Sequence, residues 1–487
     1  MDIGNPNSSP ANHLFSASFS SLTFPAFPHS CIPAFLGSLP LFFYLCCSKT
    51  NSTMSNFIGI RHEDKYKLER RAPLTPKHVA RLVKQKKLDI IVQTSDKRIF
   101  TDEEYVKAGA TIEADLKKCS VIFGVKEMPE SFFEPDKTYV FFSHVVKGQP
   151  YNMAMLRRMM ALRCNLIEYE RVVDEQGKRL IFFGRYAGMA GMINSLWSLG
   201  LRLKEAGYNS TLVKLKQAHH YHTLQEAKDD VSAIGQVIAE NGIPHDLRPF
   251  VIGITGYGNV AQGVQEILGL LPVKEISPEK LLELHRRPKL PDNIVYKVIF
   301  KEEDLFEHVD GEPFDLHDYY ANPQSYRSKF EKYLPHLSML INCIYWDKRY
   351  PRLVTKAYLK KLFARGKPRL SVIGDISCDV DGAVECTVKP TEIDDPIFVY
   401  NPETEQIKMG HQGDGLLVMA VDILPAELPR DSSDGFADVL VNFVKPIADA
   451  DFEEHFDDLD LPKAIKKALI LHKGELTPDY KYLEEYL

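Results

Sequence analysis

The sequence predicts an α/β protein with two domains, each a parallel sheet flanked by helices, and a cleft between them. The chain has 487 residues, of which 44% are hydrophobic, so it can form two or three separate cores. Short apolar runs alternate with stretches of helical periodicity, which is typical of parallel sheets. A glycine-rich turn at residues 256–258 joins one such run to a helical pattern.

Residues 1–54 are predicted to be a low-complexity N-terminal extension outside the folded domains. They are rich in Ser, Pro and Phe, and they contain one acidic and one basic residue. The apolar stretch 32–47 is too short and too interrupted by prolines for a transmembrane helix, so no stable membrane insertion is expected. No arginine precedes Arg61, unlike in a mitochondrial transit peptide, and our hypothesis is that translation starts at Met54.

Residues 55–190 are predicted to form the first part of a substrate domain. Thr75 followed by Pro76 indicates a helix start, because threonine caps helices and proline favours the first helical position. Thr101 and Glu104 have the spacing of a capping box at a second helix. The predicted strands are FIGI at 57–60, DIIV at 89–92, SVIFGV at 120–125, TYVFF at 138–142 and NLIEY at 165–169.

Two polar residues, Lys126 and His144, follow consecutive predicted strands. The C-terminal ends of parallel strands form the edge at which open α/β sheets bind ligands, so both are predicted to lie there. Each alone is more often a surface or packing residue. Together with Arg71 and Arg179 they supply what reductive amination of a carbonyl needs, namely cations for carboxylates and an acid/base pair.

Residues 191–390 are predicted to form a dinucleotide-binding domain, preceded by a long helix over 187–206. In PFVIGITGYGNVAQGVQEILGLL, Gly256, Gly258 and Ala261 have the dinucleotide-binding spacing after a strand and at a helix start. Gly256 allows the tight turn, and Gly258 allows a pyrophosphate to approach the positive end of the helix. We therefore expect Rossmann-like domains; an ordinary tight turn is the alternative.

The adenosine end of the coenzyme remains open at this point. The fingerprint places an acid at the end of the second strand, where the sequence reads VKEIS. Glu275 there would favour NAD(H), whereas Ser277 would tolerate a 2′-phosphate and favour NADP(H).

Composition excludes several other classes of function. A net charge of −6 with interspersed lysines and acids gives no basic surface for nucleic acid. The eight cysteines lack the spacing of metal sites and indicate a reducing compartment. The cluster at 219–222, HHYH, lacks a suitably spaced carboxylate or cysteine, so a solvated helix surface is favoured and no metal site is predicted.

Seven motifs occur in a fixed order along the chain. They are RRAPLTP, GVKEMPE, FFSHVVKGQ, FFGRYAGMAGMINSL, GYGNVAQG, NCIYWDKRYPRL and GDISCDVDGAVEC. Together they resemble the lysine-ketoglutarate reductase half of alpha-aminoadipic semialdehyde synthase, a relative of saccharopine dehydrogenase. The resemblance runs from about Phe57 to the C-terminus and implies NADPH-dependent condensation of L-lysine with 2-oxoglutarate to saccharopine, the first step of lysine degradation. It also implies that residues 391–487 return to the substrate domain.

The resemblance also implies residue roles. Lys126 and His144 match the acid/base pair. The implied substrate contacts are Arg71, Lys126, Gln149 and Arg179, and the implied charge modulators are Glu69, Glu127 and Glu170. The implied coenzyme contacts are Gly256, Tyr257, Gly258, Asn259, Val260, Cys343, Ile344, Asp375, Ile376 and Ser377, with Ser277 added from the fingerprint.

Two other functions stay open. One is an L-lysine-forming saccharopine dehydrogenase that uses NAD, and the other is a catalytically silent nucleotide-sensing subunit. Location in the cytoplasm or the mitochondrial matrix, a homo-oligomer, and association with a separate saccharopine dehydrogenase also stay open.

Overall fold

A computed structural model describes residues 57–284, 286 and 289–487. The predicted N-terminal extension and Met54 lie outside these residues. The described part contains two large sheets and a two-stranded ribbon. None of its helices is both long enough and apolar enough to span a membrane.

The strands are, in chain order, β1 Phe57–Ile60, β2 Ile90–Gln93, β3 Thr111–Glu113, β4 Cys119–Phe123, β5 Thr138–Phe141, β6 Asn165–Glu168, β7 Phe250–Thr255, β8 Val273–Glu275, β9 Val295–Phe300, β10 Phe306–His308, β11 Tyr326–Ser328, β12 Met339–Asn342, β13 Val372–Asp375, β14 Ile397–Tyr400, β15 Ile407–Met409, β16 Leu416–Met419, β17 Leu469–His472 and β18 Glu475–Leu476.

The α-helices are α1 Pro76–Lys86, α2 Asp102–Lys107, α3 Pro150–Ala161, α4 Gly184–Glu205, α5 Leu224–Asn241, α6 Asn259–Leu268, α7 Pro278–Leu284, α8 Glu302–Leu305, α9 Leu316–Ala321, α10 Lys356–Phe363, α11 Pro429–Asp449 and α12 Lys463–Ala468. The predicted starts of α1 and α2 are confirmed, and Thr101 and Glu104 form the capping box at α2.

The first sheet has the strand order β18-β17-β6-β5-β4-β1-β2-β3. Strands β1 to β6 are parallel, as the alternation of strands and helices predicted. Strand β17 pairs antiparallel with β6, and β18 pairs antiparallel with β17. Phe436 and Leu440 of α11 are buried in the same core, so the C-terminal segment contributes both strands and a helix to this sheet.

The second sheet has the strand order β15-β14-β16-β13-β12-β7-β9-β8. Strands β14 to β16, between residues 397 and 419, belong to it, whereas we predicted the return to the first domain at residue 391. The predicted boundary at residue 391 therefore lies too early in the chain, by the β14–β15 hairpin and β16. An apolar run in the sequence does not indicate which of the two sheets its strand will join. The chain leaves the second sheet after β16.

The long helix α4 packs tightly against α6 of the second domain. A Cβ atom built on Gly188 would lie 1.9 Å from the carbonyl oxygen of Val260. One built on Gly263 would lie 2.0 Å from the carbonyl oxygen of Arg185. The two helices can approach this closely only because both positions are glycine. The start of α6 is thereby held against the start of α4.

Candidate active site

Lys126 and His144 lie beyond the C-terminal ends of two adjacent parallel strands, β4 and β5. The backbone amide of Phe142 donates to the carbonyl of Val125 over 3.1 Å, which continues the pairing beyond the strands. The buried carboxylate of Glu63 accepts from the amides of Val125 and Lys126 at 2.7 and 2.9 Å. Glu63 therefore fixes the backbone that carries Lys126.

His144 is held by two carboxylates. Its backbone adopts a left-handed conformation, with φ of 53°, and its amide donates to Glu168 over 3.0 Å. Its Nδ1 lies 2.8 Å from Oε1 of Glu127. Because an ionised carboxylate only accepts hydrogen bonds, Nδ1 carries the hydrogen, which leaves Nε2 to exchange protons with another group.

Glu127 joins His144 to a second cation. Lys65 Nζ lies 2.7 Å from the carboxylate oxygen that faces His144. Burial by itself would raise the pKa of Glu127, but the hydrogen bond and charge of His144, followed by the hydrogen bond from Lys65, lower it to about 2. Glu127 is therefore ionised at neutral pH and presents its negative charge to Nδ1 of His144.

Arg71 is a buried cation with a dedicated partner. Its Nε and Nη2 donate to the two carboxylate oxygens of Glu69 at 2.8 and 2.5 Å. Burial, followed by the positive charge of Arg71, lowers the pKa of Lys126. A lysine with a lowered pKa is neutral for a larger fraction of the time and can act as a base.

Gln149 and Arg179 do not hydrogen-bond to this cluster in the described residues. Gln149 precedes α3 and accepts from the hydroxyl of Tyr151 over 2.6 Å. Arg179 has a side chain that is 53% exposed and lies 3.1 Å from Glu170. Their predicted contacts with substrate stay predictions.

The predicted coenzyme turn connects β7 to α6. Gly256 has φ of 86°, and a Cβ atom there would lie 3.3 Å from Ile344, so this position requires glycine. A Cβ atom on Gly258 would meet no protein atom within 4 Å, which leaves open space before the first helical residues, Asn259 and Val260. Open space at a helix N-terminus fits a pyrophosphate.

A network of uncharged donors surrounds Asp375 at the ends of β7, β12 and β13. Thr255 donates to Asn342 over 2.7 Å, and Asn342 donates to Asp375 over 2.8 Å. Thr387 donates to the other oxygen of Asp375 over 2.6 Å. Burial raises the pKa of Asp375 to about 6. Asp375 was predicted from its motif, whereas Thr255, Asn342 and Thr387 were not, because isolated buried polar residues have no motif of their own.

Two loops beside this network contain other predicted coenzyme residues. The hydroxyl of Ser377 donates to the carbonyl of Ile344, which joins the loop after β13 to the loop after β12. Cys343 donates its amide to the carbonyl of Thr255 over 3.2 Å. Ile376 is buried, and a Cβ atom on Gly191 of α4 would lie 2.6 Å from it. Ile376 therefore packs against α4.

The strand order bears on the predicted ribose contacts, Glu275 or Ser277. Both residues were predicted at the end of the second strand along the chain, β8, but the neighbour of β7 is β9. Glu275 and Ser277 thus lie at the outer edge, where Glu275 pairs with Lys297 over 2.6 Å. After β7 the chain first forms the outer strand, β8, and then the inner strand, β9. Local sequence does not reveal this order. Lys301 and Glu302 follow the inner strand.

Phe183 and Gly184 link the acid/base cluster to the coenzyme turn at residues 256–258. The acid/base cluster is the set of side chains described above: Lys65, Glu69, Arg71, Lys126, Glu127 and His144. The guanidinium of Arg71 lies 4.2 Å from the centre of the Phe183 ring. A Cβ atom on the next residue, Gly184, would lie 3.6 Å from Asn259 and 3.5 Å from Val260. Phe183 thus contacts the acid/base cluster, and the next residue, Gly184, faces the coenzyme turn across a space about one methyl group wide.

The HHYH cluster lies in a different environment. His219 Nδ1 is 3.7 Å from the fully buried carboxylate of Glu427, which also accepts two hydrogen bonds from Asn194. Among the described residues, no group of three or more potential ligands is arranged to hold a metal ion. His219 therefore lies beside the buried carboxylate of Glu427.

Comparison with known proteins relates both halves of the chain to one family. Residues 59–190 match the N-terminal domain, and residues 315–479 the C-terminal domain, described as alanine dehydrogenase/PNT. Alpha-aminoadipic semialdehyde synthase of Arabidopsis thaliana is 40% identical over 88% of this chain and 41% of its own length. The mitochondrial protein of that name from Bos taurus is 34% identical over 88% of this chain and 47% of its own.

More distant relatives match over most of their length. Saccharopine dehydrogenase [NAD(+), L-lysine-forming] of Neurospora crassa is 27% identical over 78% of this chain and 88% of its own length. A solved structure of L-alanine dehydrogenase has a TM-score of 0.55 at 16% identity, and the match covers 88% of this chain and all of that one. This likeness confirms the predicted two-domain, Rossmann-like fold. The chain spans less than half of the two semialdehyde synthases.

Proposed function

The chain belongs to the alanine dehydrogenase/PNT family of nicotinamide dinucleotide-dependent oxidoreductases, and from this we propose that it is a lysine-ketoglutarate reductase. The reaction condenses L-lysine with 2-oxoglutarate and reduces the product to saccharopine. The observation that carries the proposal is that Phe183 contacts the acid/base cluster while the next residue, Gly184, faces the coenzyme turn.

The acid/base cluster fits the proton transfers of this reaction. An amine attacks the keto carbon of 2-oxoglutarate, the carbinolamine loses water, and the imine is reduced. Lys126, with its lowered pKa, can accept a proton from the attacking ammonium group. His144 can donate one from Nε2 to the departing hydroxyl while Glu127 stabilises the imidazolium. A bound reduced nicotinamide would supply the hydride.

The substrates carry three carboxylates, and Arg71 is suited to bind one. Glu69 occupies Nε and Nη2 of Arg71, which leaves Nη1 for a substrate oxygen. The ion pair also reduces the net charge that Arg71 presents, so binding relies on directed hydrogen bonds as well as on charge. Arg179 would bind a second carboxylate if it left Glu170, and Gln149 would donate an amide hydrogen.

The residues of the coenzyme turn fit a dinucleotide. Gly256, Tyr257 and Gly258 precede α6, and the open space at Gly258 supports a pyrophosphate position next to Asn259 and Val260. NADP(H) is the coenzyme implied by the resemblance. The argument from Ser277 for NADP(H) no longer holds, because Ser277 follows the outer strand β8.

The test is an absorbance assay at the nicotinamide band with purified protein. We expect oxidation of reduced coenzyme only when L-lysine and 2-oxoglutarate are both present, with saccharopine as product. Oxidation with either substrate alone, or none with both, would contradict the proposal. A silent nucleotide-sensing subunit would bind coenzyme without turnover.

A second candidate, L-lysine-forming saccharopine dehydrogenase, is the same equilibrium in the opposite direction. The names of these distant relatives give NAD(+) as their coenzyme. Comparing the specificity constants of the forward and reverse reactions for each coenzyme distinguishes the two. We further propose location in the cytoplasm or the mitochondrial matrix, and association with a separate saccharopine-cleaving enzyme, which co-purification would test.

A further inference from the structure

We propose that Glu302, at the end of β9, binds the adenosine ribose hydroxyls of the coenzyme and makes this chain selective for NAD(H) over NADP(H). The proposal rests on the dinucleotide site of the proposed function and replaces the NADP(H) that the resemblance implies.

Strand order places Glu302 beside the coenzyme turn. Strand β9 pairs with β7 along its whole length, and Phe300 lies opposite Thr255. The amide of Gly256 donates to the carbonyl of Phe300 over 2.9 Å, so the turn and the end of β9 are joined directly. Strand β8 is one position further out, about 10 Å from β7, since neighbouring strands are about 4.8 Å apart. The ribose-binding acid of this fold follows the strand next to the first, which here is β9.

The contacts of Glu302 orient its carboxylate beside the turn. The hydroxyl of Tyr320 donates to Oε1 of Glu302 over 3.1 Å. The negative charge of Glu302 raises the pKa of Tyr257, within the glycine turn itself, so the two side chains lie close together. A carboxylate has about four acceptor positions, and with one taken by Tyr320 enough remain for the 2′- and 3′-hydroxyls of a ribose. Tyr257 and Tyr320 are each about half exposed, at 46% and 49%, which leaves the surface accessible to a ligand.

Charge at this position disfavours a 2′-phosphate. Among the described residues, no lysine or arginine forms an ion pair with Glu302, and Glu303 adds a second negative charge. The nearest cation on β9, Lys297, is already paired with Glu275. A phosphate ester at the 2′ position would therefore face an unneutralised carboxylate at short range. Lys301 is the one adjacent cation in this segment, so the experiment tests it separately.

The experiment measures binding of NADH and NADPH to the purified full chain by fluorescence titration of the reduced nicotinamide, without substrates. We expect wild-type protein to bind NADH roughly ten-fold or more tightly than NADPH. Glu302→Gln should improve NADPH binding by about 10- to 100-fold and leave NADH binding within about five-fold. Glu302→Arg should reverse the preference.

Glu303→Gln is the matched control, because it removes an equal charge from the next, exposed residue. We expect it to change the NADPH to NADH ratio by less than about three-fold, since exposed charges are screened by solvent and salt. Lys301→Gln should leave the ratio similarly unchanged. Far-ultraviolet circular dichroism would verify that each variant is folded.

Three results would overturn the proposal. They are tighter binding of NADPH than NADH by the wild-type chain, equal effects of the Glu302 and Glu303 variants, and selective loss of NADPH binding in Lys301→Gln. Failure of the proposed function would look different. In that case NADH is preferred and Glu302→Gln responds as expected, but L-lysine with 2-oxoglutarate produces no oxidation.

Discussion

The acid/base cluster of the first sheet and the polar network of the second differ in how their carboxylates are satisfied. Glu127 is hydrogen-bonded to His144 and Lys65, and these contacts lower its pKa to about 2. Asp375 receives hydrogen bonds from Thr387 and Asn342, which are uncharged, and burial raises its pKa to about 6.

This difference shows that burial alone does not set the charge of a strand-end carboxylate. The hydrogen-bonding partners of the carboxylate set its charge. A neighbouring cation offsets the free-energy cost of removing the ionised carboxylate from water, whereas neutral donors offset only part of that cost. The first cluster is equipped to move protons between charged groups. The second ties three strands together and has no cationic hydrogen-bond partner for Asp375 in the described residues.

The largest expected effect comes from removing the proton-transferring groups of the first cluster. Lys126→Met and His144→Gln should each lower turnover by about two to four orders of magnitude, the usual contribution of a general acid or base. Steady-state kinetics with both substrates would measure it. Lys65→Met is the informative neighbour, because Lys65 contacts only Glu127 in the cluster and should matter less. Near-wild-type turnover in both principal variants would remove Lys126 and His144 from catalysis.

The two carboxylates should also give opposite dependences of stability on pH. Glu127 has a lowered pKa in the folded state, so it stabilises the fold above its unfolded pKa of 4.5, and that stability is lost as pH falls toward 2. Asp375 has a raised pKa, so its ionisation destabilises the fold as pH rises from 3.8 to about 6, on the order of 3 kcal/mol.

Chemical denaturation of wild type, Glu127→Gln and Asp375→Asn between pH 3 and 7 would measure these slopes. The excess stability of wild type over Glu127→Gln should grow as pH rises. Its excess over Asp375→Asn should shrink as pH rises through the window from 3.8 to 6. Glu130→Gln, in the same loop as Glu127 but exposed, should give no such slope. Slopes of the same sign for both sites would contradict the distinction between charged and neutral partners.

The smallest expected effect separates structure from binding within the second site. Gly258→Ala should weaken coenzyme binding about ten-fold with little change in stability, because its Cβ meets open space in the protein but projects toward the phosphate. Gly256→Ala should also lower stability, by about 1 to 2 kcal/mol, because φ of 86° disfavours a side chain. Thermal unfolding and coenzyme titration together test the pair. A large loss of stability in Gly258→Ala would contradict the interpretation.

Much of the site followed from local pattern. Lys126 and His144 were predicted at one sheet edge, and the parallel β4 and β5 do bring them there. The turn at Gly256 was predicted from residue type and spacing, and its left-handed backbone accords with that assignment. Glu127 was an implied charge modulator, but its joint contact with Lys65 and His144 depends on a loop some sixty residues earlier in the chain.

Local sequence predicted the alternation of strands and helices, the helix starts at Thr75 and Thr101 and the glycine turn, because these depend on residues a few positions apart. The order of neighbouring strands could be seen only in the folded molecule. That order places Glu302, rather than Glu275 or Ser277, after the strand beside β7, and it keeps residues 397–419 in the second sheet. Strand order is a property of long-range packing, since an apolar strand carries no local mark of the partner against which it will be buried.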